Sequence, residues 1–229
     1  MSARDRTRGT ASRRTFITGG AAGLLLAPGL GSLAAFAKPA DIAFDIIRKG
    51  EKIGVHEVRF TTLGEGEFEV HTNVDVAIRL GFITLYRFEQ EITEVWRRGA
   101  MVEARGITND DGEKARLRAA LEGGELTIEG PAGRQKAPLG AMTDIAFWNP
   151  KIARQDQIVD TWLGQLAPLL VGAGDVEEIE LRGRRLRTRR FSFVANRGRS
   201  GKVWYDEAGV WVRGYLKTPS AELDYLPTV

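Results

Sequence analysis

An arginine-rich segment holds the densest group of side chains that could bind an anion. Its eight arginines could contact a phosphate, a glycan or an acidic headgroup, and they stand at positions 182, 184, 185, 187, 189, 190, 197 and 199. Glutamates at 177, 178 and 180 precede them, so most of this charge is expected to be neutralised across a solvated strand face. Arg190, Arg197 and Arg199 lie beyond that part, and we predict that these three are open to a ligand.

Tryptophans form the second group with a chemical use, because aromatic rings can line an apolar pocket. The interior of a β-roll must also be filled by side chains, so core packing is the alternative for each of them. We keep both interpretations and take the tryptophans, together with the three arginines above, as candidate ligand-binding residues. They are Trp148, Trp162, Trp204 and Trp211.

Patterns for metal binding and catalysis are incomplete. His56 and His71 lie in adjacent predicted strands, without the spacing of a zinc-binding motif. The segment 198–202, Gly-Arg-Ser-Gly-Lys, is similar to a phosphate loop, but Asn196 and Val203 stand where that loop needs glycine and serine or threonine. Carboxylates are too numerous to nominate an acid–base couple. We therefore predict a turn at 198–202, and no catalytic residue, metal ligand or cofactor.

The N-terminal segment predicts export. Arg13 and Arg14 precede a largely apolar run at 16–36, which closes with the small-residue pattern Ala-Phe-Ala at 35–37. This order is typical of a twin-arginine signal peptide, and we predict cleavage after Ala37. The expected partners are the twin-arginine export machinery and signal peptidase, and the mature protein is expected to be periplasmic or secreted. An uncleaved N-terminal anchor is the alternative.

The composition beyond the leader is that of a folded and nearly neutral protein. The chain has 33 basic and 30 acidic residues, of which the predicted signal peptide at 1–37 contains five and one. The remaining 28 and 29 give residues 38–229 a net charge near −1, which argues against nucleic acid as a partner. The absence of cysteine excludes disulfides, thiol chemistry and a lipoprotein anchor. We predict a single domain over 38–229.

Glycine-containing turns separate short β-rich runs along this predicted domain, and several runs alternate in polarity. In 68–80, one face carries Phe68, Val70, Thr72, Val74, Val76, Ile78 and Leu80. In 82–96, one face carries Phe82, Tyr86, Phe88, Ile92 and Trp96, with Thr84, Gln90 and Glu94 interrupting it. Such alternation is typical of an antiparallel sheet with one buried face. We predict an all-β fold, an antiparallel meander that forms a single curved sheet, a β-roll or a half-barrel.

One segment departs from the strand pattern. Residues 141–156 include the pair Asn149-Pro150, because of which we predict a non-strand excursion with a short helical turn between two groups of strands.

Two local details of the strands can also be predicted. In 52–63 the apolar residues change parity, which we interpret as a β-bulge near His56-Glu57. A two-residue turn at Gly183-Arg184 would make a hairpin in which Glu180 opposes Arg187.

Several short blocks stand in a recognisable order in the C-terminal half: Phe147-Trp148-Asn149-Pro150, Asp160-Thr161, Gly164-Gln165-Leu166, Val203-Trp204-Tyr205-Asp206, Gly209 and Trp211-Val212. With these blocks the chain resembles an uncharacterised family of exported bacterial proteins, catalogued as domain of unknown function 6134, over nearly all of 41–229. The resemblance implies a β-rich exported protein, related in plan to periplasmic spiral β-rolls and to half-barrels that carry lipoproteins. It brings no assigned reaction and no catalytic residues.

Three hypotheses for function follow. The leading one is a non-enzymatic envelope protein that binds an apolar or amphipathic ligand, such as a lipid, in the concavity of its sheet. The second is a protein-interaction or scaffold module that uses the arginine-rich face, with another envelope protein as partner. The third is a carboxylate-dependent enzyme, which two buried and mutually close acids at the bottom of a cleft would favour. An interior without a pocket above about 300 Å³ would count against the first hypothesis.

Overall fold

The computed structural model describes residues 39–228 of the chain. The predicted signal residues Arg13 and Arg14 and the predicted cleavage after Ala37 lie outside these described residues, as does Val229. Within the described part, no helix combines the length and the apolar character needed to cross a membrane.

Fifteen strands form one continuous sheet. They are β1 (Ile42–Arg48), β2 (Glu51–Gly64), β3 (Glu67–Leu80), β4 (Ile83–Arg97), β5 (Ala100–Asp110), β6 (Glu113–Glu122), β7 (Glu125–Gly130), β8 (Gly133–Pro138), β9 (Gln157–Asp160), β10 (Gln165–Val171), β11 (Asp175–Leu181), β12 (Arg184–Ala195), β13 (Ser200–Asp206), β14 (Trp211–Lys217) and β15 (Glu222–Pro227). The order across the sheet is β8-β7-β6-β5-β4-β3-β2-β1-β15-β14-β13-β12-β10-β9, with β11 paired to β12 beside this path. Neighbouring strands pair antiparallel, so the predicted meander is confirmed.

The two edges of this sheet nearly meet, which gives it the shape of a barrel. They are joined by contacts between turns rather than by a ladder of strand hydrogen bonds: the Ala132 amide donates to the Leu163 carbonyl over 2.8 Å. Gly130 and Gly164 touch at the same place, where a Cβ on Gly164 would lie 2.5 Å from the Gly130 Cα. Glycine therefore permits the close approach that completes the barrel. The predicted all-β fold with a single curved sheet is confirmed.

Alternation along the strands places apolar side chains inside the barrel. In β3 the predicted inward face is buried from Phe68 to Val76. The prediction is wrong further along, since Leu80 is 68% exposed and Phe82 is fully exposed. The physical reason is that β2 pairs with β3 only as far as Val76, and β5 pairs with β4 only from Phe88 onward. Beyond Tyr86, which still packs against the interior, the hairpin has no interior to fill.

The predicted excursion is confirmed and forms a plug, a name we use for residues 141–156. It contains two short 3₁₀ helices, Ala146–Trp148 and Pro150–Arg154. Asn149 ends the first helix and caps the second, because its side chain accepts a hydrogen bond from the Lys151 amide. The plug also pairs with the outer edge of β9 through two backbone hydrogen bonds.

Trp148 is the main packing residue of the plug. Its ring lies edge-on to three aromatic rings, with centroids 5.1 Å from Phe60, 5.9 Å from Phe68 and 5.0 Å from Trp96. These partners come from the end of the barrel that carries the β2–β3 and β4–β5 turns. The plug thus fills that end.

The predicted bulge in β2 exists but is misplaced. Ile46 opposes Gly54, whereas the next residue of β1 opposes Lys52, which leaves Ile53 as the extra residue. The bulge predicted near His56-Glu57 is therefore about three residues too far along the strand. Because the shift occurs earlier, His56 keeps the inward parity of the rest of β2 and faces the interior.

The β11–β12 hairpin turns one residue earlier than predicted. Arg182 and Gly183 have positive φ values of 53° and 71°, as a type I′ turn requires. Glu180 therefore opposes Arg185, and the predicted pairing with Arg187 is wrong. The resulting register change of two residues leaves the same side chains on each face of the hairpin.

Candidate functional site

The plug forms one boundary of an interior cavity of about 410 Å³. The cavity extends toward the end of the barrel that carries the β3–β4, β12–β13 and β14–β15 turns. Its volume lies within the roughly 300–1,000 Å³ that is usual for small-molecule sites. The predicted ligand-binding residues divide here: Trp162, Trp211, Arg197 and Arg199 line the cavity, whereas Trp148, Trp204 and Arg190 do not.

Most of the cavity wall is apolar. Val76 and Phe88 of β3 and β4 form one part, Trp211 and Tyr225 of β14 and β15 form another, and Phe147 contributes from the plug. Alternation places Val76, Phe88 and Tyr225, whereas Trp211 faces inward because a bulge at Val212 changes the parity of β14. A wall of this kind favours a hydrocarbon or aromatic ligand, since burial of apolar surface gains about 25 cal/mol per Å².

His56 is a polar group set into this wall, and sequence reasoning did not select it. It is 4% exposed, and its Nε2 atom has no hydrogen-bond partner among the described residues. The ring is edge-on to Trp211, with centroids 5.3 Å apart. Burial lowers the pKa of His56 to about 4, so the ring is uncharged at neutral pH. A neutral imidazole with an unused nitrogen can hydrogen-bond to a polar atom of a bound molecule.

Arg199 joins two buried aspartates beside the cavity. Its guanidinium donates to Asp144 of the plug over 2.7 Å and to Asp160 of β9 over 3.2 Å. Burial by itself disfavours the charge, but the two carboxylates outweigh it and raise the pKa of Arg199 above its usual range. The expectation that Arg199 is unpaired is therefore wrong. Its ion pairs fix the plug against β9 and the β12–β13 turn.

The oxygens of both aspartates are fully occupied. Asp144 Oδ1 accepts hydrogen bonds from the Thr161 amide and hydroxyl, and Asp160 Oδ1 accepts from the two backbone amides at 162 and 163. Each Oδ2 accepts from Arg199, and Asn196 also donates to Asp160. These acids are buried and close together, as the enzyme hypothesis requires, but every oxygen already holds a donor. The arrangement supports a structural role.

Two polar interruptions of the apolar face of β4 also point inward, as their parity predicts. Gln90 lines the cavity and donates to the Thr161 hydroxyl over 3.0 Å. Glu94 does not line it; this carboxylate is 1% exposed and accepts from the Thr143 hydroxyl and, over 2.9 Å, from the Trp96 indole. Burial raises the pKa of Glu94, and these two hydrogen bonds oppose the shift. Both residues tie β4 to the segments that surround the cavity.

Arg197 is an exposed cation at the cavity mouth. Its guanidinium carbon lies 5.2 Å from the centroid of the half-buried Trp162 ring, a cation–π distance. Within residues 39–228 the ion pairs of the arginine-rich segment belong to Arg187, Arg190 and Arg199, and none involves Arg197. The prediction that Arg197 contacts an anionic ligand group is compatible with this placement and stays a prediction.

The remaining three candidates have other roles. Arg190 forms ion pairs with Asp175 over 2.6 Å and with Glu177 over 3.5 Å, so the expectation that it is unpaired is wrong. Trp204 lies on the outer face of β13, where its indole donates to Glu177. Trp148 belongs to the packing of the plug. Core packing, the alternative stated for each tryptophan, accounts for Trp148.

The two histidines lie on opposite faces of the sheet. His71 is on the outer face, its Nδ1 3.4 Å from the Thr93 hydroxyl, in an open groove that also contains Arg105 and Arg116. His56 faces the interior, so the pair cannot share an ion. Over the described range, 39–228, no three metal-ligating side chains lie together.

Comparison with known proteins yields a family and a fold. The profile of the family described as domain of unknown function (DUF6134) matches residues 44–228. The crystal structure of a beta-barrel-like protein of domain of unknown function DUF1849 from Brucella abortus is similar, with a TM-score of 0.56 and 9% sequence identity. The match covers 85% of this chain and 98% of that chain. At such low identity the likeness shows the fold alone. No curated protein matches this chain.

Proposed function

For this chain, which belongs to the family described as domain of unknown function (DUF6134), we propose the role of an exported protein that binds an apolar or amphipathic molecule in its interior cavity. Binding is proposed without catalysis. The resemblance of the sequence to exported proteins and the cavity of about 410 Å³ support this role together.

One observation carries the proposal: an apolar cavity contains a buried imidazole nitrogen without a partner. An unpaired buried polar atom lowers the stability of the fold by roughly 1–3 kcal/mol, and a hydrogen bond from a bound molecule would remove this penalty. A ligand whose hydrocarbon part fills the space between Phe88 and Trp211, and whose polar atom reaches His56 Nε2, would do so.

The position of Arg197 predicts the orientation of the ligand in the cavity. Its guanidinium and the Trp162 ring lie at the solvent side of the cavity, where an acidic headgroup would remain hydrated. The proposed ligand is therefore a long apolar molecule with an acidic end, such as a fatty acid or an acidic lipid.

The binding test uses two fluorescent probes with similar rings: anionic anilinonaphthalene sulfonate and neutral phenylnaphthylamine. We expect both to bind the wild-type protein. The Leu223→Trp variant, which fills the cavity mouth, should abolish binding of both probes, whereas Leu170→Trp on an exposed site outside the cavity should not. Arg197→Gln should weaken the sulfonate about tenfold and leave the neutral probe unchanged. Equal binding to wild type and Leu223→Trp would refute the cavity as the site.

Native mass spectrometry of the protein recovered from the periplasm identifies the physiological ligand. A bound lipid-sized mass that is missing from Leu223→Trp would support the proposal.

Export is part of the same proposal. Replacement of Arg13 and Arg14 by lysine should retain the protein in the cytosol with its leader attached, and N-terminal sequencing of the exported wild-type protein should start at Lys38. A mature protein that reaches the periplasm despite both substitutions would exclude the twin-arginine route.

The alternative of a scaffold module has weaker support. It relies on the arginine-rich face, yet Arg190 pairs with two acidic residues of β11 and Arg187 pairs with Glu207 over 3.3 Å. Its test is capture of an envelope protein that is lost on substitution of Arg190, Arg197 and Arg199 by alanine.

A further inference from the structure

The β3–β4 hairpin projects beyond the ladders that join it to β2 and β5. The last ladder pair that β3 shares with β2 is at Val76, and the first that β4 shares with β5 is at Phe88. From there to the turn, the ladder pairs of residues 77–86 lie within the hairpin and end with Leu80 opposite Ile83. Arg87 still contacts the β5–β6 turn, because its carbonyl accepts from the Asp111 amide over 2.7 Å. Four residues of strand correspond to roughly 13 Å at about 3.3 Å per residue. We call residues 77–86 the hairpin tip.

The hairpin tip is covered with apolar side chains that face solvent. Leu80 is 68% exposed, Phe82 is fully exposed, Ile83 is 62% exposed and Leu85 is 56% exposed. Gly81 has a φ of 59°, which lets a two-residue turn place Phe82 at the summit. Single exposed apolar residues are ordinary on a protein surface, but a contiguous cluster on a projecting element indicates an interaction site.

One face of the hairpin tip continues the cavity wall. Val76 opposes Phe88, Ile78 opposes Tyr86, and Leu80 opposes Ile83, so these pairs follow one another along the same side of the ribbon. Val76, Phe88 and Tyr86 line the cavity. An apolar track therefore runs from the summit of the hairpin into the barrel.

Charge favours a negatively charged surface around the tip. Arg79 lies on the tip itself, and Arg48 and Lys49 lie at the adjacent β1–β2 turn. Within residues 39–228 none of the ion pairs involves these three cations. The carboxylates near the tip are Glu51, which opposes Arg48 in the β1–β2 turn, and those of the β5–β6 turn, where Asp110 accepts a hydrogen bond from the Tyr86 hydroxyl over 2.7 Å.

We propose that the hairpin tip inserts into the headgroup region of a lipid bilayer, with Phe82 deepest and with Arg79, Arg48 and Lys49 on anionic headgroups. The tip is convex and narrow, and four side chains supply far less than the roughly 800 Å² per partner of a stable protein interface. A fluid bilayer needs no matching groove, and apolar and cationic residues in this order suit its interface. The proposal goes beyond ligand binding and does not depend on it.

The test exploits the absence of native cysteine in this chain. Phe82→Cys is labelled with nitrobenzoxadiazole in the full-length protein and mixed with vesicles of phosphatidylcholine, with or without phosphatidylglycerol. We expect a blue shift of emission and quenching by headgroup-labelled nitroxide lipids, both stronger with phosphatidylglycerol. Leu80→Ser with Ile83→Ser should reduce the inserted fraction about tenfold.

A matched control separates insertion of the tip from attachment through any other segment. Leu170 is as exposed as Leu80, at 68%, but lies on β10. A label at Leu170→Cys should stay in water, and Leu170→Ser should leave the signal from position 82 unchanged. Equal quenching at both sites, or no blue shift at position 82, would overturn the proposal. So would a blue shift that grows with protein concentration without vesicles, since a second copy of the chain would then cover the tip.

The insertion experiment does not depend on ligand binding in the interior cavity. The Leu223→Trp variant should insert as the wild type does, so loss of probe binding with retained insertion refers to the cavity alone.

Discussion

The two ends of the barrel share their strands but differ in how the interior is filled. At the plug end, Trp148 packs among Phe60, Phe68 and Trp96, and the buried Glu94 accepts a hydrogen bond from Trp96. At the open end, the interior holds a cavity with His56 in its wall and Arg199 beside it. Strand alternation decides which side chains face inward, whereas a single non-strand segment decides how much of the interior they must fill. Close aromatic packing and the proposed binding site thus lie at different ends.

The largest expected effect is at the plug end. Trp148→Ala should lower the free energy of unfolding by about 3–5 kcal/mol, because a buried aromatic side chain leaves a cavity that the barrel cannot close. Trp162→Ala, at the open end, should lower it by less than about 1 kcal/mol, because that ring is half-buried. Urea titrations followed by circular dichroism measure both. Comparable losses would show that the two ends are not packed differently.

A second prediction concerns the boundary between the two ends. Arg199→Met should cost about 3 kcal/mol of stability, because it leaves Asp144 and Asp160 buried without their counter-ion. Arg197→Met, two residues away but exposed, should change stability by less than about 0.5 kcal/mol. The same titrations apply. A neutral Arg199→Met variant would contradict the role of this residue in fixing the plug.

The third prediction uses pH to examine the open end. The pKa of His56 is lowered from 6.5 to about 4 on folding, so the unfolded state takes up a proton before the folded state does. Stability should therefore fall as the pH decreases from 6.5 to 4, by an amount on the order of 3 kcal/mol at the lower limit. Glu94 acts in the opposite direction. Burial raises its pKa, so the folded state takes up the proton first and acidification stabilises the folded protein.

The His56→Leu variant isolates the histidine, because Glu94 is common to both proteins. The unfolding free energy of the wild type minus that of this variant should decrease as the pH falls from 6.5 to 4, by an amount on the order of 3 kcal/mol. A difference that is constant between pH 7 and about 4 would mean that His56 remains solvated in the folded protein.

Sequence reasoning predicted the elements better than the site. Alternation from Phe68 to Val76 and the Asn149-Pro150 break suffice for the sheet and the plug, because both are local patterns. The ion pairs of Arg199 join residues 55 and 39 positions apart along the chain, and no local pattern encodes such a contact. The sequence predicts Arg199 as unpaired because its partners are distant along the chain. It predicts Arg190 as unpaired because Glu177 is expected to pair with the preceding arginines.

His56 shows how a small register error hides a site residue. The parity change in β2 is visible in the sequence, but its position among Ile53 to Glu57 is not, and only a bulge before His56, such as the one at Ile53, turns the histidine inward. Phe82 shows a different error, because alternation places it on the inward face although it is fully exposed. Its parity matches an inward face, yet the interior ends before the strand does, and barrel height cannot be read from alternation.

The contact between Gly130 and Gly164 has a mechanical consequence. Most strand boundaries around the barrel are held by a ladder, but here the circumference is completed by the bond from Ala132 to Leu163 and by a few side-chain contacts. Loss of those few interactions would let the wall part along one line while the strand ladders stay intact. The wall of the barrel is therefore weakest along this line, where the two backbone hydrogen bonds between the plug and β9 are the nearest main-chain reinforcement.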